Sequence, residues 1–190
     1  NPYWRFSRAG MAIADPRRPY VVVSNHESFA DILLICHLPF EMKWLSKVEI
    51  LGIPFVGWMM RMAGDIPLKR GYGPSAAEAM ERCRETLRNR VSVIFFPEGT
   101  RSVDGTMLPF KDGAFRLAIE AGVPILPLAV AGTRTALPKH DWRFNPARAV
   151  VEVLPPIATE GLTLADLPQL KERVRTTIQV ARDALRARIA

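Results

Sequence analysis

The sequence predicts an α/β domain in which helices flank both faces of a largely parallel central sheet. Short β-branched runs alternate with helical patterns along the chain, and neither an internal repeat nor a long linker interrupts them. A length of 190 residues suits one domain with a sizeable core better than two small ones. We therefore interpret residues 1–190 as a single domain.

The predicted strands are compact apolar runs at 20–24, 42–45, 65–68, 91–96, 125–131 and 150–154. Helical periodicity covers 29–38, a long stretch opened by Pro74 and Ser75, 112–121 and 164–188. In such sheets, sites gather in the loops at the carboxyl ends of the strands. Polar motifs that follow these strands are therefore the candidate functional residues.

The composition is basic, with 26 Lys and Arg against 19 Asp and Glu and a formal net charge of +7. This surplus indicates an anionic partner, which is a nucleic acid, a phosphorylated metabolite or an anionic membrane surface. The sequence lacks a nucleic-acid-binding motif, so we expect no nucleic acid partner. Cys36 and Cys83 lack the spacing of metal ligands and lie in apolar stretches, which predicts reduced core thiols and no metal.

The first motif, 25–31, follows the strand at 20–24 and contains His26 and Asp31. A histidine at a strand end and an aspartate one turn into the next helix can face each other across the helix start. The aspartate then holds one ring nitrogen, and the other can accept a proton from a substrate hydroxyl. Ser28 and Asp31 also match a capping box, so a purely structural role stays open.

The second motif, 96–102, reads Phe-Pro-Glu-Gly-Thr-Arg-Ser and follows the strand at 91–96. Its turn can direct backbone N–H groups and the guanidinium of Arg101 at one anion. Considered alone, the segment is better interpreted as a plain surface turn. A third segment, 64–71, places Lys69 and Arg70 at the end of a short strand, where isolated cations are ordinary strand-terminal charges.

A fourth segment, 47–60, is rich in methionine and aromatic residues and includes Phe55, Trp58 and Met59. Such side chains suit an adaptable apolar wall for a flexible chain, either in an acyl-chain pocket or on a surface that enters a membrane. A stripe of this kind is nevertheless more often protein core, and that interpretation stays open.

Taken in order, these segments resemble the lysophospholipid acyltransferase family, whose best-known members are the 1-acylglycerol-3-phosphate acyltransferases. The family's Asn-His-x4-Asp block matches 25–31, its Lys-x-Glu segment ending in Pro-Phe-x-Gly resembles 47–57, and Gly-x-Ile-x3-Arg matches 64–70. Phe-Pro-Glu-Gly-Thr-Arg-Ser is present without a mismatch at 96–102, followed by Phe-Lys-x-Gly at 110–113 and Val-Pro-Ile-x-Pro at 123–127. The resemblance covers residues 1–128, about two-thirds of the chain.

The resemblance implies the glycerolipid acyltransferase fold and acyl transfer from a thioester to the free hydroxyl of 1-acylglycerol 3-phosphate, which gives phosphatidic acid. By it, His26 is the general base and Asp31 its orienting partner. The residues expected at the acceptor's phosphate are Arg70, Glu98, Gly99, Thr100 and Arg101. The substrate oxygen is itself the nucleophile, so we expect no acyl-enzyme and no cofactor beyond the co-substrate, acyl-CoA or acyl carrier protein.

A lipid acceptor must be reached from a bilayer, so we expect an anionic membrane surface as a partner. Family members commonly carry an N-terminal apolar segment that docks on the membrane. We therefore expect such a segment before residue 1 and a location at the cytoplasmic face of the membrane, peripheral or anchored. The basic amphipathic stretch 164–188 can lie on anionic lipid, but packing of its apolar stripe on the sheet is the favoured interpretation.

Three alternatives keep the same chemistry and change the acceptor to another lysophospholipid, to glycerol 3-phosphate or to a lyso-ornithine lipid. A fourth is a lipid-phosphate-binding module without catalytic activity, which binds the acceptor but releases no thiol from the donor.

Overall fold

The computed structural model describes residues 3–13, 15–69, 71–102, 104–138 and 143–189. Its strands are β1 (Trp4–Gly10), β2 (Val21–Ser24), β3 (Met42–Lys47), β4 (Ile66–Leu68), β5 (Ser92–Phe95), β6 (Ile125–Ala131) and β7 (Ala147–Val153). Its α-helices are α1 (Ala30–Ile35), α2 (Val56–Ala63), α3 (Gly73–Arg88), α4 (Gly113–Ala121), α5 (Thr133–Ala136) and α6 (Leu167–Ile189). Short 3-10 helices cover Val48–Gly52 and Leu164–Asp166.

The strands form one sheet in the order β1-β7-β6-β2-β5-β3-β4. Every neighbouring pair is parallel except β6 and β7, which are antiparallel. The predicted fold class is therefore confirmed. Because β2, β3, β4, β5 and β6 run in the same direction, the loops that follow them meet at one edge of the sheet.

Helices cover both faces of the sheet, as predicted. Within β2, Val21 and Val23 pack on the face that carries α3, α4 and α6, while Val22 packs on the opposite face with α1. Successive side chains of a strand point to opposite faces, and all residues of β2 are buried. This double burial explains why the strand reads as a continuous β-branched run.

Helix α6 buries its apolar stripe, formed by Leu170, Val174, Ile178 and Leu185, in the same core as α3 and α4. The favoured interpretation of 164–188, packing on the sheet, is the arrangement that the structure has. Among the described residues, no helix is long and apolar enough to cross a membrane.

The structure departs from the sequence prediction in its exposed parts. Strand β1 was not predicted, because it is a half-exposed edge strand whose apolar residues alternate with polar ones. Helix α2 was not predicted either, since most of its apolar residues face outward. The prediction of two core thiols is correct for Cys83, whose burial raises its pKa to about 12, and wrong for Cys36, which is exposed on the end of α1.

Candidate active site

A cavity of about 890 Å³ lies where the carboxyl ends of β2, β3, β4 and β5 meet. The loop after β2 contributes His26, and the loop after β5 contributes Gly99, Thr100 and Arg101. The structure therefore brings together the motifs at 25–31 and 96–102, which are far apart in sequence but follow neighbouring strands. Residues of the segments at 47–60 and 64–71 line the same cavity.

The imidazole of His26 and the carboxylate of Asp31 form the expected pair. Nδ1 of His26 lies 2.8 Å from Oδ2 of Asp31, and the aspartate is fully buried. A carboxylate oxygen can only accept a hydrogen bond, so Nδ1 carries the proton and the lone pair of the neutral imidazole is on Nε2. The ring stacks on Phe96, with centroids 3.9 Å apart and planes inclined by 13°. This orientation gives His26 the geometry of a general base.

Asp31 also organises the backbone of the loop on which His26 stands. Its Oδ2 accepts hydrogen bonds from the backbone N–H groups of Glu27, at 2.8 Å, and Ser28, at 3.0 Å. The bond from Ser28 is one half of the predicted capping box; in place of the other half, the hydroxyl of Ser28 accepts from the N–H of Ala30, and the N–H of Asp31 donates to the carbonyl of Ser28. The structural and the catalytic interpretations of this motif therefore hold together, because one carboxylate closes the helix start and holds the imidazole.

Thr133 is a partner of Asp31 that the sequence did not reveal. Its hydroxyl donates a hydrogen bond to Oδ1 of Asp31, and the side chain is fully buried. Thr133 follows β6 through Gly132, which has a φ of 90° and passes so close to β7 that a Cβ there would lie 2.0 Å from the carbonyl oxygen of Arg148. The only sequence signal for Thr133 is its position just beyond the end of the strand at 125–131.

Glu98 contacts the protein backbone with both carboxylate oxygens. Oε1 accepts from the N–H of His26 at 2.7 Å, and Oε2 accepts from the N–H of Leu108 at 2.8 Å. Burial raises the pKa of the Glu98 carboxyl above its usual range, and the two N–H groups act in the opposite direction. Of the five residues expected at the phosphate, Glu98 is therefore the one whose contacts support the His26 loop, and it is absent from the lining of the cavity.

The other residues expected at the phosphate lie in the cavity wall, with one exception. Gly99, Thr100 and Arg101 line the cavity, whereas Arg70 lies outside the residues that the structure describes. The segment 96–102 therefore forms part of the cavity wall and is not a plain surface turn. The phosphate-binding role of these residues stays a prediction.

Further cations line the same cavity. Lys111 is placed by a hydrogen bond from its N–H to the carbonyl of Pro97, at 2.9 Å, and its ammonium packs against Gly99. A Cβ at position 99 would lie 2.8 Å from Nζ of Lys111, so glycine permits this approach. Lys47 and Lys69 also line the cavity. Lys111 belongs to the Phe-Lys-x-Gly segment at 110–113, which is the signal that could have added it to the site.

The remaining lining is mostly apolar. It is supplied by four helices and three strands, through residues that include Phe29, Ile32, Trp44, Ile50, Leu68, Ala79, Met80 and Phe95. Among the described lining residues there is no aspartate or glutamate. The cavity thus combines a base, several cations and an apolar interior, which suits an anionic amphiphile.

Phe55, Trp58 and Met59 lie outside this cavity. They stand on or beside α2 with 78%, 62% and 56% of their surface exposed. Their place on the surface favours the membrane alternative for these residues over the acyl-chain pocket and over the core. Their role stays a prediction.

Within the described structure, the hydroxyl of Ser28, two residues after His26, is engaged in hydrogen bonds of its own. The hydroxyl of Ser28 donates to the carbonyl of Leu137 at 2.8 Å and accepts from the N–H of Ala30 at 3.2 Å, as a helix-capping residue does. Within the described part of the chain, no three His, Cys, Asp or Glu side chains are grouped as metal ligands would be. The arrangement suits proton removal from a substrate hydroxyl.

Residues 9–131 match the family model described as Acyltransferase. The chain belongs to the acyltransferase family. The matched region of the chain extends from the end of β1 to the end of β6, and so includes His26, Asp31 and the 96–102 loop.

Two relatives of the chain carry the same enzyme name. The 1-acyl-sn-glycerol-3-phosphate acyltransferase alpha of Homo sapiens is 43% identical over 162 residues, which are 84% of this chain and 57% of the human protein. The chloroplastic 1-acyl-sn-glycerol-3-phosphate acyltransferase BAT2 of Brassica napus is 47% identical over 120 residues, 63% of this chain and 35% of that protein. The chain therefore spans about a third to three-fifths of the length of these relatives.

A solved structure has the same fold as this chain. It is the 1-acyl-sn-glycerophosphate (LPA) acyltransferase PlsC from Thermotoga maritima, which superposes with a TM-score of 0.81 at 30% identity. The alignment covers 95% of this chain and 72% of that chain. The expected glycerolipid acyltransferase fold is thereby confirmed.

Proposed function

We propose that the protein transfers an acyl group from a thioester, acyl-CoA or acyl carrier protein, to the free hydroxyl of 1-acylglycerol 3-phosphate. The observation that carries the proposal is one largely apolar cavity that is lined by His26, Arg101 and Lys111, with Asp31 buried behind His26 as its hydrogen-bond partner. A lysophosphatidic acid needs these three features: a base for its hydroxyl, cations for its phosphate and an apolar surface for its chain. The names of the relatives support the same acceptor.

The reaction follows from the orientation of His26. Nε2 removes the proton of the acceptor hydroxyl while that oxygen attacks the thioester carbonyl, and a tetrahedral intermediate forms. When the carbonyl is restored, the carbon–sulfur bond breaks and the proton held by His26 passes to the leaving thiolate. The products are phosphatidic acid and a free thiol. Asp31 holds the ring in one tautomer and stabilises its protonated form.

The acceptor's monoester phosphate is bound by the cations of the cavity wall. Arg101 supplies a planar fork that matches phosphate oxygens, and Lys111 supplies a compact charge beside the Gly99 backbone. Arg70 belongs to this group by its position in the matching motif. An acceptor without an exposed phosphate monoester would use these charges less well, which favours lysophosphatidic acid over a lyso-ornithine lipid.

We propose that α2 carries the surface that meets the membrane. The α2 surface, defined as Phe55, Trp58, Met59 and Met62, consists of large apolar side chains that are each more than half exposed. It begins two residues after Ile53, which lines the cavity. Docking there brings a lipid acceptor to the cavity, and the net charge of +7 favours an anionic bilayer. The proposed location is the cytoplasmic face of the membrane, where the thioester donor reaches the cavity from the cytoplasm.

Thiol release from palmitoyl-CoA with lysophosphatidic acid in detergent micelles tests the proposal. Release that requires the acceptor is expected for the wild type, with a fall of about 100-fold or more in His26→Ala. His37→Ala is the matched control, because His37 is exposed just beyond the end of α1, where its ring contacts the carbonyl of Leu33 and lies edge-to-face with the Phe6 ring. An acyl carrier protein thioester serves as the alternative donor. A bilayer serves as the alternative surface that presents the acceptor. Binding of lysolipid with no thiol release under any of these conditions would show that the protein is a lipid-phosphate-binding module without catalytic activity.

A further inference from the structure

The last two turns of α6 direct two arginines toward the interior. Arg182 and Arg186 are four residues apart and therefore share one face of the helix. Arg182 is only 6% exposed and Arg186 is half-buried. Two arginines of this basic helix are thus turned toward the active-site loops, although α6 lies beyond the region matched by the family model.

Arg186 contacts two of those loops with a single nitrogen. Its Nη2 donates to Oε1 of Glu27 at 2.6 Å and to the carbonyl oxygen of Gly105 at 3.0 Å. Arg182 donates to the same carbonyl at 3.4 Å. Gly105 belongs to the turn that Ser102 closes by accepting its N–H at 2.9 Å, directly after Arg101. Arg186 therefore joins the loop of His26 to the loop of Arg101.

Glu27 connects this ion pair to the catalytic pair. It follows His26 in the chain, its side chain is buried, and its backbone N–H donates to Oδ2 of Asp31 at 2.8 Å. Burial raises the pKa of the Glu27 carboxyl, the nearby Asp31 adds to that effect, and Arg186 opposes it. Without Arg186, the buried carboxylate of Glu27 would lose its ion pair while it lies near the carboxylate of Asp31. The loop would then relax toward water, or Glu27 would take up a proton.

We propose that Arg186 is a positioning residue, which holds the backbone of residues 26–28 through its ion pair with Glu27 so that Asp31 can orient His26. This role adds a residue to the proposed acyl transfer and rests on that proposal, because its effect on kcat is measured in that reaction. It makes the C-terminal helix part of the active-site support. A displacement of a catalytic group by about 1 Å can lower the rate by about 100-fold, so the position of this loop matters for the base.

The test compares Arg186→Ala with Arg188→Ala in the full chain. Arg188 is an exposed arginine two residues further along the same helix, so the two variants lose the same charge. Thiol release from palmitoyl-CoA with lysophosphatidic acid gives kcat and KM. Hydrogen exchange at the amides of Glu27 and Ser28 reports on the loop without requiring any activity, since both amides donate to Asp31.

For Arg186→Ala we expect kcat to fall by about 10- to 100-fold while KM changes by less than about threefold, with faster exchange at the two amides. Reversal of the pair, Glu27→Arg with Arg186→Glu, should recover part of both losses. Wild-type kcat in Arg186→Ala, unchanged exchange, or an equal loss in Arg188→Ala would overturn the proposal.

If Arg186→Ala does not fold, Glu27→Gln decides, because it keeps the shape of the side chain and removes its charge. Normal exchange and normal kcat in Glu27→Gln would also overturn the proposal. A wild type that releases no thiol from acyl-CoA or acyl carrier protein, in micelles or on a bilayer, refutes the proposed function, and the exchange measurement still decides the role of Arg186.

Discussion

Thr133 and Asp31 are joined by a hydrogen bond from the threonine hydroxyl to Oδ1, the carboxylate oxygen that His26 does not use. The two residues are 102 positions apart in the chain. Asp31 thus receives hydrogen bonds from the loop after β2 on one oxygen and from the first residue of α5 on the other. A carboxylate held on both oxygens cannot rotate, so the imidazole that it orients is held as well.

We expect Thr133→Val to lower kcat for acyl transfer by about tenfold or more with little change in KM, since a hydrogen bond to a charged group contributes about 1.5–3 kcal/mol. Thr133→Ser should restore most of the activity, because it keeps the hydroxyl. Thr135→Val is the matched control, as Thr135 lies in the same short helix and its hydroxyl contacts only the carbonyl of Gly132 in the described structure. Equal kcat in the Val and Ser variants would show that the hydroxyl has no part in orienting Asp31.

Lys111→Met should weaken acceptor binding rather than the chemical step. Removal of one ammonium beside the Gly99 backbone is expected to raise KM for lysophosphatidic acid by about tenfold, while kcat falls less. Lys43→Met serves as the control, because Lys43 lies outside the cavity lining and pairs with Glu41. A rise in KM that is the same for both variants would indicate a general effect of net charge and not a phosphate contact.

The α2 surface should enter anionic bilayers. Vesicles that contain phosphatidic acid or phosphatidylglycerol are expected to shift Trp58 fluorescence to the blue, and the difference should disappear in Trp58→Phe. Met59→Glu should reduce vesicle binding, because a charge at an exposed apolar position must be dehydrated on insertion. If wild type and Trp58→Phe respond identically to these vesicles, the docking surface is elsewhere.

Asp65 should make stability depend on pH in the direction opposite to that of a salt-bridged acid. Burial raises the pKa of its carboxyl above 3.8, while the N–H of Trp44 and the charge of Lys43 act against that rise. The folded state therefore holds its proton more tightly than the unfolded state, so the contribution of Asp65 to the free energy of unfolding falls as pH rises through the interval above 3.8.

Urea unfolding of the wild type and Asp65→Asn between pH 4 and 7 measures this contribution. The stability of the wild type relative to the variant should be greatest at the acidic end and decline as the carboxyl ionises. Glu27 and Glu98 also have raised pKa values, but they are present in both proteins and cancel in the difference. A difference that grows with pH would contradict the expected direction.

The predictable part of the fold is the part with a strong local pattern. The buried runs of β2, β5 and β6 and the periodicity of α3, α4 and α6 could be read from the sequence, because burial on both faces or on one stripe leaves a distinct residue pattern. The edge strand β1 and the exposed helix α2 were missed, since half-exposed elements carry polar residues or outward-facing apolar ones that weaken that pattern.

By itself, the sequence determined the fold class, the spacing that lets His26 meet Asp31 across a helix start, and the motif of the 96–102 loop. Only the tertiary structure decided which distant residues join them. It directs Glu98 at the His26 backbone, and it adds Thr133 and Arg186 to the support of the catalytic loop. Arg186 lies 159 residues from its partner Glu27. Such contacts depend on strand order and crossover connections, which place chain segments side by side without leaving a trace in the local pattern of either one.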